Sequence, residues 1–128
     1  MPHYSRLHII VIDVPGDDHD QELAFWQAAI GKELTRNVDY PEFHGALLPH
    51  HQQVGLLVQR LEAGQARMHL DFHTDDAEAE VGRLEKLGAS QEQRVQEWYV
   101  MRDPAGLLFC VVPAIAGSLH DDNAQRWD

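Results

Sequence analysis

Three shortages in this 128-residue sequence narrow the classes of protein to which it can belong. A single cysteine, Cys110, means that no disulfide can form within the chain. No apolar run reaches the roughly 18 residues that a membrane-spanning helix requires, and Met1 is followed by the polar stretch PHYSR. We therefore expect a single-domain cytoplasmic protein that has no contact with a membrane.

Basic residues are also scarce. Ten lysines and arginines stand against 21 aspartates and glutamates, which gives a formal net charge of −11. Nucleic-acid binding depends on clustered Lys and Arg side chains that neutralise phosphates, and here the basic residues are scattered. The sequence also has no glycine-rich phosphate loop and no serine beside a histidine base. These absences argue against a nucleic-acid partner, a nucleotide site and a serine hydrolase.

Hydrophobic patterning is plentiful, and it follows the same element order twice. The β-branched run LHIIVIDV (7–14) predicts a buried strand, and DDHDQELAFWQAAIG predicts a helix that ends at Gly31. Three shorter strands follow. From residue 67 the order of strand, helix and three strands repeats, with the second helix over 75–88. In this repeat His69 is the counterpart of His8.

The second round opens on RMHLDFHTDD (67–76), in which apolar and polar side chains alternate strictly. Successive side chains of a strand point to opposite faces of the sheet. Met68, Leu70 and Phe72 would therefore form an apolar face. The opposite face would carry the polar side chains His69, Asp71 and His73, and it could bind a ligand.

Five segments in this order resemble the vicinal oxygen chelate superfamily, which contains glyoxalase I, extradiol dioxygenases, fosfomycin-resistance enzymes and bleomycin-binding proteins. The branch of small glyoxalase-like domains is the most similar. The resemblance covers residues 6–113 and implies an α+β fold of two βαβββ modules, 6–62 and 66–113, whose curled mixed sheets surround a cleft. Residues 114–128 would form a tail that extends from the domain and frays. The five segments are AFWQAAIG, LLVQRL, RMHLDFHTDD, LEKLGA and WYVMRDPAGLLFCVVP.

The resemblance also implies a set of metal ligands. In the metal-dependent members one ligand comes from the first and from the last strand of each module, and these positions are His8, Gln59, His69 and Cys110 here. The implied cofactor is a divalent metal such as Zn, Ni, Fe or Mn, bound by His8, Gln59 and His69. The last-strand glutamate of those enzymes is replaced by Cys110. Either a thiolate completes a zinc site, or the histidines line the cleft without a metal and Cys110 contacts the substrate.

Other side chains are candidates for catalysis or substrate binding. Without the usual glutamate, His73 or Asp71 is the candidate general base. Asp71 can equally be a structural residue at the module junction, and His73, at the end of its strand, is expected to be exposed to solvent. His44 is a candidate substrate contact. Trp98 and Tyr99 have opposite parity, so one of them should face the cleft as an aromatic wall.

Two main classes of function stay open. The first is a glyoxalase-like lyase, isomerase or dioxygenase that acts on a small polar or aromatic metabolite, with a metal that polarises adjacent substrate oxygens. The second is a non-catalytic protein that sequesters a cationic or aromatic small molecule in an acidic cleft, as bleomycin-binding proteins do. A module that regulates a partner protein without any ligand is a further alternative. We expect a homodimer or a compact pseudo-symmetric monomer.

Overall fold

The computed structural model describes residues 2–128, without the side chains of residues 51 and 52. Over this range the fold is α+β, with nine strands and two helices. Neither helix is long and apolar enough to cross a membrane. The chain divides into two compact units: unit 1 is formed by the chain up to His8 together with Leu70–Asp128, and unit 2 by Ile9–His69. Strands β1 (His3–Pro15) and β5 (Arg67–Thr74) each run from one unit into the other.

Unit 2 has a four-stranded arrangement covered by a helix. After β1 come helix α1 (His19–Ile30) and strands β2 (Thr35–Arg36), β3 (Phe43–Leu48) and β4 (His51–Leu61). β4 pairs with β1 in parallel, β3 pairs with β4 antiparallel, and β2 pairs with β3 antiparallel. Gly31 ends α1 with a left-handed φ of 71°, as the sequence predicts.

The core of unit 2 lies between α1 and its strands. Leu23, Trp26 and Ile30, which recur at helical spacing along α1, pack against buried aliphatic side chains. Burial of each large aliphatic side chain contributes about 1.5–3 kcal/mol, so this cluster stabilises the unit. The buried members of the cluster are Ile12, Val14, Leu34, Leu56 and Val58.

Unit 1 repeats this arrangement. After β5 come helix α2 (Ala77–Lys86) and strands β6 (Ser90–Val95), β7 (Trp98–Arg102) and β8 (Leu108–Pro113). β8 pairs with β5 in parallel, and β7 and β6 follow antiparallel. The Asp76 carboxylate accepts a hydrogen bond from the Ala79 backbone N–H at 3.0 Å and starts α2. The buried core beneath α2 consists of Val81, Leu84, Tyr99, Met101, Phe109 and Val111.

The C-terminal segment corrects the sequence prediction, because it does not extend from the domain and fray. Strand β9 (Gln125–Trp127) pairs antiparallel with the start of β1. The Trp127 indole N–H donates to the Ser5 hydroxyl at 2.9 Å, and the Arg83 guanidinium lies 3.8 Å from the centroid of the Trp127 ring. Leu119 is buried. A three-residue strand is too short to give a recognisable period, so the sequence did not reveal it.

The apolar face that the alternation predicts for β5 is only partly buried. Phe72 packs against Phe109, with ring centroids 5.9 Å apart. Met68 and Leu70, by contrast, are 64% and 42% exposed, and Leu7 on β1 is 50% exposed. Exposed apolar side chains on strands are suited to a protein interface. The homodimer that the sequence predicts remains a prediction.

Candidate functional site

A buried carboxylate directed at a histidine is the best-defined polar feature of unit 2. Asp13 is 1% exposed, and its Oδ2 lies 2.6 Å from Nδ1 of His69. An ionised carboxylate only accepts hydrogen bonds, so His69 donates through Nδ1, and in the neutral imidazole the lone pair then lies on Nε2. An imidazole held in this way can take up a proton or bind a metal through Nε2.

The surroundings of Asp13 leave its carboxylate incompletely satisfied. Arg67 Nε lies 3.7 Å from the same oxygen that contacts His69. The other oxygen, Oδ1, is buried and has no hydrogen-bond partner among the residues whose side chains are described. An unpaired buried polar atom costs about 1–3 kcal/mol. Such a cost is typical of a residue kept for function, because a residue selected for stability would be fully paired.

Unit 1 holds a second group of polar side chains, here named the Arg6 cluster, which consists of Arg6, His8 and His73. The rings of His8 and His73 have centroids 4.6 Å apart and are inclined at 67°. Arg6 Nη2 donates to His8 Nε2 at 3.5 Å, and Arg6 Nη1 donates to the backbone carbonyl of Asn123 at 3.5 Å. The cluster therefore combines one guanidinium with two imidazoles.

The environment of His73 differs from the solvent exposure that the sequence predicts, because the side chain is half-buried against His8. Burial, and then the nearby His8 and Arg6, lower the pKa of His73 from 6.5 to about 4. The imidazole is therefore neutral at neutral pH. A general base works best with a pKa near the operating pH, so His73 is poorly suited to the catalytic role that the sequence suggested.

The low pKa of His73 makes stability depend on pH in a defined window. The folded-state pKa lies below the ordinary value, so the unfolded chain binds the proton first, and stability is lost as the pH falls from about 6.5 towards about 4. Urea unfolding at about pH 7 and about pH 4.5 measures this effect. Between these pH values the free energy of unfolding of the natural protein should fall by about 2 kcal/mol more than that of His73→Gln. Equal losses in the two proteins would contradict the buried, neutral imidazole.

Cys110 lies on the predicted face of β8. Its neighbours Phe109 and Val111 pack into the core beneath α2, and Cys110 points to the other side of the strand, where it is 8% exposed. Asp71 is its Cα partner in the parallel ladder between β5 and β8. A thiol and a carboxylate therefore stand on neighbouring strands within unit 1.

The same kind of ladder in unit 2 identifies a residue that the sequence analysis missed. Gln59, a predicted metal ligand, is the Cα partner of Asp13. Asp13 in unit 2 therefore corresponds to Asp71 in unit 1, which is a different alignment from the one that matches His8 with His69. The sequence did contain a sign of its importance, because Asp13 is the only acidic residue in the otherwise apolar run LHIIVIDV. Arg6 was not predicted as a functional residue either, because the sequence marks it only by its alternation with His8.

The remaining predicted substrate contacts lie in different settings. Tyr99 is 8% exposed within the core beneath α2, with the Arg94 guanidinium 4.7 Å from its ring centroid. Of the two neighbours of opposite parity, Tyr99 is therefore the one that packs against the helix and not the one that faces a cleft. Trp98 is half-buried and remains the aromatic candidate. In unit 2, the His44 ring lies 5.0 Å from the His19 ring, and burial lowers the pKa of His44.

The donor groups differ in how well they fit a divalent metal. His69 fits, because Asp13 holds its Nδ1 and leaves Nε2 as a donor. The thiol of Cys110 and the carboxylate of Asp71 are also ligand types that zinc accepts. His8 does not fit, because the Arg6 guanidinium donates to its Nε2 at 3.5 Å and would repel a cation there.

Comparison with known proteins agrees with this fold. A family model described as "Glyoxalase-like domain" matches residues 9–112. No curated protein matches the sequence. The match leaves only the first residues of β1 and the C-terminal segment outside the family model.

Solved structures share the fold at low sequence identity. The Legionella pneumophila protein described as an NAD-dependent benzaldehyde dehydrogenase is 14% identical with a TM-score of 0.59, covering 83% of this chain and 99% of that chain. Streptomyces coelicolor methylmalonyl-CoA epimerase, bound to 2-nitronate-propionyl-CoA, is 18% identical with a TM-score of 0.58, covering 88% and 99%. Sphingomonas wittichii 2,2',3-trihydroxybiphenyl 1,2-dioxygenase is 14% identical with a TM-score of 0.55, covering 88% and 42%.

At these identities the likeness to solved structures concerns the fold alone. The family match is broader evidence, because it spans both helices and eight of the nine strands at least in part. The resemblance to the vicinal oxygen chelate superfamily is thereby confirmed. The chain belongs to the glyoxalase-like domain family of that superfamily.

Proposed function

We propose that this glyoxalase-like protein is an isomerase that moves a proton at the carbon next to a carbonyl group of a small organic molecule. The observation that carries the proposal is the 2.6 Å contact between Asp13 and Nδ1 of His69. His69 would be the acid–base group and Asp13 the positioning residue. The epimerase among the structures of this fold, bound to a CoA ester, supports the same class of reaction.

The reaction needs no net oxidation. His69 Nε2 takes the proton from carbon, the electron pair of the broken C–H bond moves into an enolate, and the proton then returns to carbon. The ionised Asp13 stabilises the imidazolium that forms between these two steps. A positioned acid–base group of this kind contributes about 10²–10⁴-fold to a rate.

Proton exchange with deuterated water tests the proposal. The protein is incubated in D₂O with a panel of small 2-oxo acids, 2-methyl acids and their thioesters, and loss of the α-proton signal is followed by NMR. We expect exchange above the spontaneous rate for at least one class. His69→Asn should abolish it, while His50→Asn, which changes an exposed histidine in a turn, should not. Exchange that survives in His69→Asn, or that requires dioxygen, would contradict the proposal.

A metal-dependent activity is the second candidate, and the ladder pair of Asp71 and Cys110 favours it. A bound divalent metal would polarise the carbonyl oxygen of the substrate. In unit 2, His69 would serve as a metal ligand, and Gln59 is the second ligand that the family pattern implies there. Metal analysis of protein purified without chelator, and after loading with Zn, Ni, Mn or Fe, decides between the candidates. Stoichiometric metal that is lost in Cys110→Ser would favour the metal centre.

A further inference from the structure

We propose that the Arg6 cluster binds the carboxylate group of a small organic acid, with Arg6 as the residue that holds the anion. The inference goes beyond the proposed function and concerns unit 1 alone. It depends on three features of unit 1: a guanidinium without an acidic partner, two imidazoles beside it, and a backbone that is fixed at the neighbouring residue.

Arg6 is half-buried and forms no ion pair within residues 2–128. Its hydrogen bonds are the two at 3.5 Å, to the Asn123 carbonyl and to His8, and its Nε is buried without a partner among the described side chains. Burial also lowers the pKa of the guanidinium. Acidic residues outnumber basic ones by 21 to 10, so the missing carboxylate is not explained by scarcity. The arginines that do pair with carboxylates are Arg67, Arg83, Arg102 and Arg126.

The charge of the cluster selects the kind of anion. Arginine can only donate, so its hydrogen bond to His8 Nε2 requires that nitrogen to be an acceptor. Arg6 is the only arginine or lysine of the cluster and supplies its permanent positive charge. A monoanionic carboxylate would neutralise it, whereas a phosphate dianion would leave an uncompensated charge in a half-buried site.

The geometry of a guanidinium suits the same ligand. Its planar N–H groups can bind the two oxygens of a carboxylate at once, and such charge-assisted hydrogen bonds are about twice as strong as neutral ones. The unpartnered Nε is one of the donors needed for this bidentate contact. By the same reasoning, a cationic ligand would be repelled here, so the Arg6 cluster does not support the sequestration of a cationic drug.

The backbone around Arg6 is held from two sides of unit 1. The Tyr4 backbone N–H donates to Asp75 Oδ1 at 2.8 Å, and the Tyr4 hydroxyl donates to Asp121 Oδ1 at 2.8 Å. β9 pairs with residues 3–5. Because the neighbouring backbone is already fixed, anion binding has to order only the Arg6 side chain, which favours binding by a single arginine.

NMR titration with simple anions tests the inference without any need for turnover. Sodium acetate and sodium phosphate are added separately at constant ionic strength, with sodium chloride as the balancing salt, and the Arg6 Nε–Hε signal and the ring signals of His8 and His73 are followed. We expect saturable shifts with acetate and weaker binding of phosphate. Arg6→Gln should weaken acetate binding at least about tenfold, Arg6→Lys should retain part of it, and Arg60→Gln, on an exposed arginine, should not change it.

Every outcome bears on the inference. Acetate shifts that are the same in Arg6→Gln as in the natural protein would overturn it, as would the absence of saturation. Tighter binding of phosphate than of acetate would overturn the assignment to carboxylates. His69→Asn should bind acetate normally. If the natural protein binds acetate but shows no proton exchange with any substrate class, the proposed isomerase is refuted and the carboxylate site stands. Thermal unfolding of each variant shows whether a lost signal reflects a lost fold.

Discussion

Replacement of Glu80 by alanine should lower the free energy of unfolding by about 3–5 kcal/mol, because it leaves the buried His3 ring and the half-buried Arg83 guanidinium without their acceptor. Glu80 lies on α2 and is fully buried. It accepts hydrogen bonds from His3 Nε2 at 2.8 Å and from Arg83 Nε and Nη2 at 2.8 Å each. Burial by itself would raise the pKa of Glu80, but the hydrogen bonds from Arg83, His3 and Ser5 outweigh it and hold the pKa below its ordinary value.

Urea unfolding at neutral pH measures this effect, and the loss corresponds to a drop in Tm of about 10–20 °C. The depressed pKa means that the stabilisation is present at neutral pH and is lost as the pH falls through the folded-state value. Glu85→Ala, on an exposed position of the same helix, is the matched control and should change stability by less than about 0.5 kcal/mol. A loss in Glu80→Ala no larger than in the control would show that the network contributes nothing.

Asp13→Asn should lower the rate of the proposed proton exchange by about 10²–10⁴-fold. The reason is the proton on the His69 ring. A carboxylate at 2.6 Å keeps that proton on Nδ1, whereas an asparagine amide can donate to Nδ1 and favour the tautomer with the proton on Nε2. In that tautomer Nε2 has no lone pair with which to accept a proton from carbon.

The rate and the tautomer are measured together. Nitrogen-15 NMR of the imidazole should show the proton on Nδ1 of His69 in the natural protein and a shift towards Nε2 in Asp13→Asn. Asp17→Asn, at an exposed position just after β1, should leave both the rate and the tautomer unchanged. A slow Asp13→Asn variant that keeps the Nδ1 proton would mean that Asp13 acts through the fold and not through the ring of His69.

The elements with strong local periodicity could be predicted from the sequence. Helix α1 was recognisable because Leu23, Trp26 and Ile30 recur at helical spacing and Gly31 supplies the left-handed end. The parity of β8 was equally clear, because Cys110 lies between two apolar neighbours that both enter the core. In each case the information lies within a few consecutive residues, which is the range over which periodicity acts.

The polar contacts of the candidate site could not be predicted in the same way, because they join distant parts of the chain. The contact between His69 and Asp13 spans 56 residues, and the one between His3 and Glu80 spans 77. Sequence alternation places a side chain on a face of a strand but does not reveal which residue lies opposite it. The family pattern names His69 as a candidate but says nothing of Asp13 or Arg6, since neither occupies a ligand position of that pattern.

The pairing of β9 with the first residues of β1 has a consequence for the order of folding during synthesis. Unit 2 is a continuous stretch, Ile9–His69, and all its strands are available once the ribosome has passed that point. Unit 1 combines residues that precede Ile9 with residues that follow His69, and His3 pairs with Trp127. The first segment of β1 therefore has no β9 to pair with until residues 125–127 have been translated. A ribosome that stalls before residue 125 would release a chain in which unit 2 can be complete and unit 1 cannot.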